Sequence, residues 1–288
     1  MKAHEHILTK QVQWARNRGI SLIGSKEARG RAAYTKTLDE NLFEPLLVEV
    51  RESFLSGDGN EILGFPGNPA KMQAIHSSSA LGLNVFQYWR RIGQDSHVAA
   101  LCGFCRKDSS NTFEIAFEKK YPINSNLPHP PNIDVVFQPS DPSKSRTFAI
   151  ECKFSEPYSS QRHGGLKPKY LALDPLWVDI PNMQALAKSI CPEDNQFVYF
   201  HAAQMIKHIL GLKKAHGKNG FRLLYLWYDV PGREGVAHRN EVNAFAKTAE
   251  ADGLKFHSLT YQKLIMKMCK DCGEEHGSYL KYITERYL

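Results

Sequence analysis

The 288 residues contain no run approaching the ~18 apolar residues that a membrane-spanning helix needs, so a membrane protein is not expected. No internal repeat and no low-complexity segment is present, which argues against stacked-repeat architectures and disordered tracts. The opening MKAHEHILTK has no apolar stretch behind its basic residues and does not read as a signal peptide, so a cytoplasmic location is expected. Acid is in short supply: 30 Asp and Glu face 37 Lys and Arg, a formal charge of +7. That balance suits a polyanionic partner but does not require one. Hydrophobic residues make up 42% of the chain, enough for a substantial core. No composition shift demands a domain boundary, although residues 1–100 read as an N-terminal helical portion packed on a core formed by 101–288.

What the chain does have is concentrated in NIDVVFQPSDPSKSRTFAIECKF, residues 132–154. Two apolar runs flank a polar loop, and each run carries acid where a core strand should be apolar. Strand side chains alternate faces, so Glu151 and Lys153 point one way while Ile150, Cys152 and Phe154 point the other, into a core. A hairpin setting Asp134 opposite Glu151 brings all three charged groups onto one face. Burying unpaired charge is expensive, so the trio calls for an explanation. One is a salt bridge on a solvated sheet face. The other is a metal site: Asp134, Glu151 and a strand carbonyl such as that of Cys152 are hard oxygen ligands suited to Mg²⁺ or Mn²⁺. Lys153 would then stand beside the attacking water and a phosphate oxygen.

The spacing D-x(16)-E-C-K, with apolar residues around each element, resembles the PD-(D/E)XK nuclease superfamily. Here Asn132-Ile133-Asp134 replaces the usual Pro-Asp, and Glu151-Cys152-Lys153 is the E-x-K element. HSSSALGLNVFQYW (76–89), FEKKYPI (117–123) and YLKYITERYL (279–288) extend the likeness to an uncharacterised, restriction-endonuclease-like branch of similar length. The resemblance implies an α/β fold with a restriction-endonuclease-like core, a mixed central sheet flanked by helices. It implies Mg²⁺-dependent hydrolysis of DNA phosphodiesters, with Asp134 and Glu151 on the metal and Lys153 positioning water. It also implies an upstream acid, for which Glu118 is the candidate, and a helix Gln near the catalytic groups, which Gln204 matches. A solvated sheet edge is the other reading of Glu118. A homodimer is compatible, since one site cuts one strand. Two alternatives stay open: a non-catalytic nucleic-acid-binding protein on a nuclease-like fold, or an RNA- or junction-specific nuclease.

Elsewhere, helices are expected over 4–18, 41–56 with Pro45 in the first turn, from the serines at 77–79 onward, 181–190, 196–214, 236–252, 260–270 and 276–287. Strands are expected over 112–121, 221–228 and 254–259. Gly57-Asp58-Gly59-Asn60 reads as a loop, and Glu61 after it as a surface acid or an extra acid near the site. Lys10, Arg16, Arg18, Lys26, Arg29 and Arg31 read as a solvated face or a phosphate-contacting one. His201, Gln204 and His208 share one side of their helix, and Glu156 stands close behind Lys153 as an outer acid. The pairs Cys102/Cys105 and Cys269/Cys272 are spaced for a structural zinc site, or are reduced, partly buried thiols.

Overall fold

β3 (Thr147–Lys153) is the strand on which the sheet changes character. In this computed structural model, which describes residues 2–26, 30–56, 61–160 and 163–288, five strands lie in the order β1-β2-β3-β4-β5. β1 (Phe113–Lys120), β2 (Asn132–Pro139) and β3 run antiparallel. β4 (Phe221–Trp227) and β5 (Phe256–Thr260) join parallel to β3, each reached through a helical crossover. Arg29 and the loop 57–60 lie outside the described residues.

Helices cover both faces. They are α1 (Ala3–Asn17), α2 (Val48–Leu55), α3 (Ser78–Arg91), α4 (Asp95–Leu101), α5 (Asp174–Trp177), α6 (Pro181–Ser189), α7 (Ala202–His216), α8 (Arg233–Ala251), α9 (Tyr261–Asp271) and α10 (Gly277–Tyr287). Alternation along β3 feeds two cores. Phe148, Ile150 and Cys152 join α1, α3, α4, α9 and α10 on one face. Ala149 points into the other, with α6, α7 and α8. The result is an α/β sandwich around a mixed open sheet, compatible with a restriction-endonuclease-like core. No helix among the described residues is long and apolar enough to cross a membrane.

Two expected helices start late, for reasons supplied by distant residues. The helix expected over 41–56 occupies only Val48–Leu55. Buried Asn84 and Gln87 of α3 hold 43–47 out of the helix: Phe43 N–H donates to Asn84 Oδ1 (2.6 Å), Leu47 N–H donates to Gln87 Oε1 (3.1 Å), and Gln87 Nε2 donates to Pro45 O (3.1 Å). These side chains offer the backbone an alternative to helical bonding. The helix expected over 196–214 begins at Ala202, because Glu241 of α8 accepts the N–H groups of Val198, Tyr199 and Phe200 at 2.9, 2.8 and 2.8 Å. α4 was not foreseen as a helix. The serines do cap α3, with Ser77 Oγ accepting from Ala80 N–H at 3.2 Å.

α7 lies hard against the end of β1. A Cβ on Gly211 would stand 2.6 Å from Tyr121 O, so only glycine permits that approach. At the far side, buried Arg286 of α10 ties together α1, the 39–41 turn and Ile75. It donates to Gln11 Oε1, Asn41 O and the Tyr282 hydroxyl at 3.0, 2.7 and 2.7 Å, and lies over the Trp14 ring at 3.9 Å.

Candidate active site

β2 and β3 pair Val135 with Ile150 and Phe137 with Phe148. Continuing that register one step sets Asp134 opposite Glu151, a pairing that the sequence permits without fixing. The ladder stops there, and the Asp134 side chain replaces it: Oδ2 accepts the Cys152 N–H at 2.6 Å. The Cys152 thiol points to the opposite face, 3.5 Å from where a Cβ on Gly82 of α3 would lie. Because β2 runs antiparallel to β3, the start of β2 and the ends of β1 and β3 meet at one edge of the sheet. That topology gathers Glu118, Asp134, Glu151 and Lys153.

Glu151 is 1% exposed, and the Lys153 side chain 16%, so the site opens on the lysine side. Lys153 Nζ lies 2.6 Å from Glu151 Oε1, and His208 Nε2 of α7 lies 2.9 Å from Oε2. Neither that Oε2 nor either ring nitrogen of His208 has a well-aligned hydrogen bond. Gln204, one helical turn before His208, is half-buried and its side chain forms no hydrogen bond among the described residues. His201, at the helix start, stacks on His163 with ring centroids 4.5 Å apart. Burial and the neighbouring His163 hold His201 down at about 3, so it is neutral near pH 7.

The electrostatics divide the carboxylates. Burial opposes ionisation of Glu151, but Lys153 and His208 overcome it and hold the group at about 2. Burial also works against the Lys153 charge, yet Glu151 and Asp134 outweigh it and keep the ammonium above the usual lysine range. Asp134 goes the other way: burial, then the charges of Glu151 and Glu118, raise it well above the carboxylate range. Glu118 is pushed up to about 8 by burial and by Glu61 and Glu151. Glu118 also sits in the left-handed backbone region, at φ +54°, and its carboxyl accepts a hydrogen bond from Asn132 Nδ2. The strand alternation alone did not foresee that distortion.

Glu61 proves half-buried rather than a surface acid, and its charge reaches Glu118. Its Oε2 accepts from Ser79 Oγ at 3.3 Å. Glu156 reaches the site electrostatically too, and accepts the Phe154 N–H at 3.0 Å. Sequence reasoning missed Lys207, a half-buried lysine whose charge burial disfavours and which lies within reach of Glu151, Lys167 and Lys169. Its place next to His208 on a helix over β3 was the available signal.

The donor set suits a hard divalent cation. Two carboxylates stand opposite one another on adjacent strands, and one buried oxygen, Glu151 Oε2, lacks an aligned partner. No three His, Cys, Asp or Glu side chains among the described residues gather tightly enough to hold a metal by themselves. Mg²⁺ typically takes only one or two carboxylates and fills its other positions with water and phosphate. Cys102 and Cys105 fall in the turn that follows α4, and Cys269 and Cys272 at the end of α9; Lys107 pairs with Asp271 between the two segments (2.9 Å), with Cys102 buried, Cys269 exposed, and Cys272 Sγ 3.5 Å from His97 Nε2.

A pH dependence follows for the metal-free protein. Glu118 holds its proton in the folded state from about 4.5 to about 8, so its contribution to stability is full below about 4.5 and lost as pH rises through about 8. Asp134, raised for related reasons, adds to the same slope. The urea midpoint is expected to fall between pH 5 and pH 9, and Glu118→Gln to fall less. Equal losses in the two proteins would refute this assignment of Glu118.

No curated protein and no solved structure matches the chain. A model of the family described as Restriction Endonuclease associating with ARP matches residues 8–288. That span takes in every strand and all of the charged groups just described, and the chain belongs to this restriction-endonuclease-like family.

Proposed function

We propose that this protein is a metal-dependent nuclease of the PD-(D/E)XK type that hydrolyses DNA phosphodiester bonds. The observation that carries the reading is the β2–β3 register, which faces Asp134 toward Glu151 with Lys153 on the same edge. Asp134 and Glu151 would hold Mg²⁺. When bound, the ion supplies positive charge against the phosphate and eases deprotonation of water. Its charge would also oppose the burial and the carboxylate repulsion that keep Asp134 and Glu118 protonated.

The protein's own groups then have distinct tasks. Lys153 remains charged, so it cannot accept the proton of the attacking water; it orients that water and offsets the negative charge growing on the phosphate oxygens. Lys153 holds the Glu151 carboxylate at Oε1, and His208 Nε2 stands 2.9 Å from Oε2. Glu118 supports the acid cluster from β1, and Gln204, one turn before His208 on α7, is the candidate for a further polar contact there. Lys167, Lys169 and Lys207 supply positive charge for neighbouring phosphates.

The test is incubation of supercoiled plasmid with wild type and Glu151→Gln, with Mg²⁺ and with chelator. Cleavage is expected only for wild type with metal, and the variant is expected to fall by about 10³-fold or more. Salt-sensitive DNA binding without cutting by the wild type would instead support a binding protein on this fold.

A further inference from the structure

The opposite edge of the sheet carries a second concavity. A cavity of about 600 Å³ opens beside the starts of β3 and β4 and the 142–146 turn. The length of β3 separates it from Lys153, ~20 Å at the rise of a strand. No Asp or Glu is among its lining residues, whereas Lys144, Arg146 and Arg222 are.

The three cations are not equivalent. Lys144 is already paired with Asp141 at 3.0 Å. Arg222 stands in an otherwise apolar strand, opposite Phe148 in the parallel register. One terminal nitrogen donates to Phe104 O at 3.1 Å, and its buried Nε has no partner. Arg146 donates Nε to Asn219 O at 2.6 Å, and its terminal nitrogens make no hydrogen bond among the described residues. Neither arginine forms an ion pair with another described residue. Two guanidinium groups therefore border one cavity without a carboxylate to balance them. Guanidinium forks match the oxygens of phosphate, and the Ser145 hydroxyl adds a donor nearby. The volume falls within the range of small-molecule sites and exceeds what an inorganic ion fills.

We propose that this cavity binds a phosphate-bearing small molecule, held by Arg146 and Arg222, at a site separate from the acid cluster. This does not depend on the nuclease reading. The test is calorimetric titration of wild type, Arg146→Gln, Arg222→Gln and Glu151→Gln with ADP and, separately, with inorganic phosphate. Both ligands report on the same chemistry: tighter binding of ADP assigns a nucleotide-sized body, and equal affinity assigns free phosphate. Arg146 is exposed, so its substitution leaves the fold intact. Each arginine variant is expected to bind about tenfold more weakly or worse, while Glu151→Gln binds as wild type. Absence of binding to wild type, undiminished binding by Arg146→Gln, loss in Glu151→Gln, or displacement of ADP by a short DNA duplex would each overturn the proposal.

Discussion

Lys153→Met is expected to lower metal-dependent cleavage by about 10² to 10⁴-fold, measured under single turnover. The substitution keeps most of the side-chain volume and removes one charge. That charge is held by Glu151 at 2.6 Å and by Asp134, in a place where burial would otherwise favour a neutral amine. Two losses follow. The phosphate loses the only cation that β3 presents to it, and Glu151 loses the partner that most lowers its pKa. Burial then pulls Glu151 upward from about 2, so the residual activity of the variant should rise more steeply with pH than that of wild type. Lys153→Arg keeps the charge and should retain part of the rate, since its fork is less able to occupy a point-charge position. An unchanged rate in folded Lys153→Met would remove the lysine from the mechanism.

Arg286→Ala is expected to cost about 3–5 kcal/mol of stability, read as a fall in urea midpoint at constant slope. Arg286 is 1% exposed, and no carboxylate stands in its network. Its charge is met by the carbonyl oxygens of Asn41 and Ile75, by Asn41 Oδ1, by Gln11 Oε1 and by the face of Trp14. Removing the guanidinium leaves Asn41 Oδ1 and Gln11 Oε1 buried without that donor, and opens a cavity between α1 and α10. Arg286→Lys should recover little, because a lysine offers neither the planar fork nor the ring contact. A midpoint shift equivalent to less than about 1 kcal/mol for Arg286→Ala would show that water reaches the site.

The parts of the fold readable from sequence were those set by local alternation. Asp134 and Glu151 each interrupt an apolar run, and the face assignments of Glu151, Lys153 and Cys152 follow from a period of two. The parallel half of the sheet followed from the strand–helix–strand order of 221–259. What sequence did not reveal depended on partners far along the chain. Glu241 decides where α7 starts, more than 40 positions away from Val198. Asn84 and Gln87 decide that 43–47 stays out of the helix. Glu118 read as one of a row of alternating residues, but Asn132 and a left-handed backbone set its place. Glu61 followed a Gly-rich stretch and read as a surface acid or an extra acid near the site; Ser79 of α3 draws it inward.

The crowding of Glu118 and Asp134 beside Glu151 has a bearing on protein engineering. A redesign scored on folding free energy alone would exchange those acids for amides early, since each is forced to hold a proton against its ordinary tendency. The same exchange would strip the edge of the sheet of the oxygens proposed to bind and surround the metal. A thermally hardened version of this protein therefore has to take its gains elsewhere, at helix caps and exposed loops, and leave this one uncomfortable corner alone.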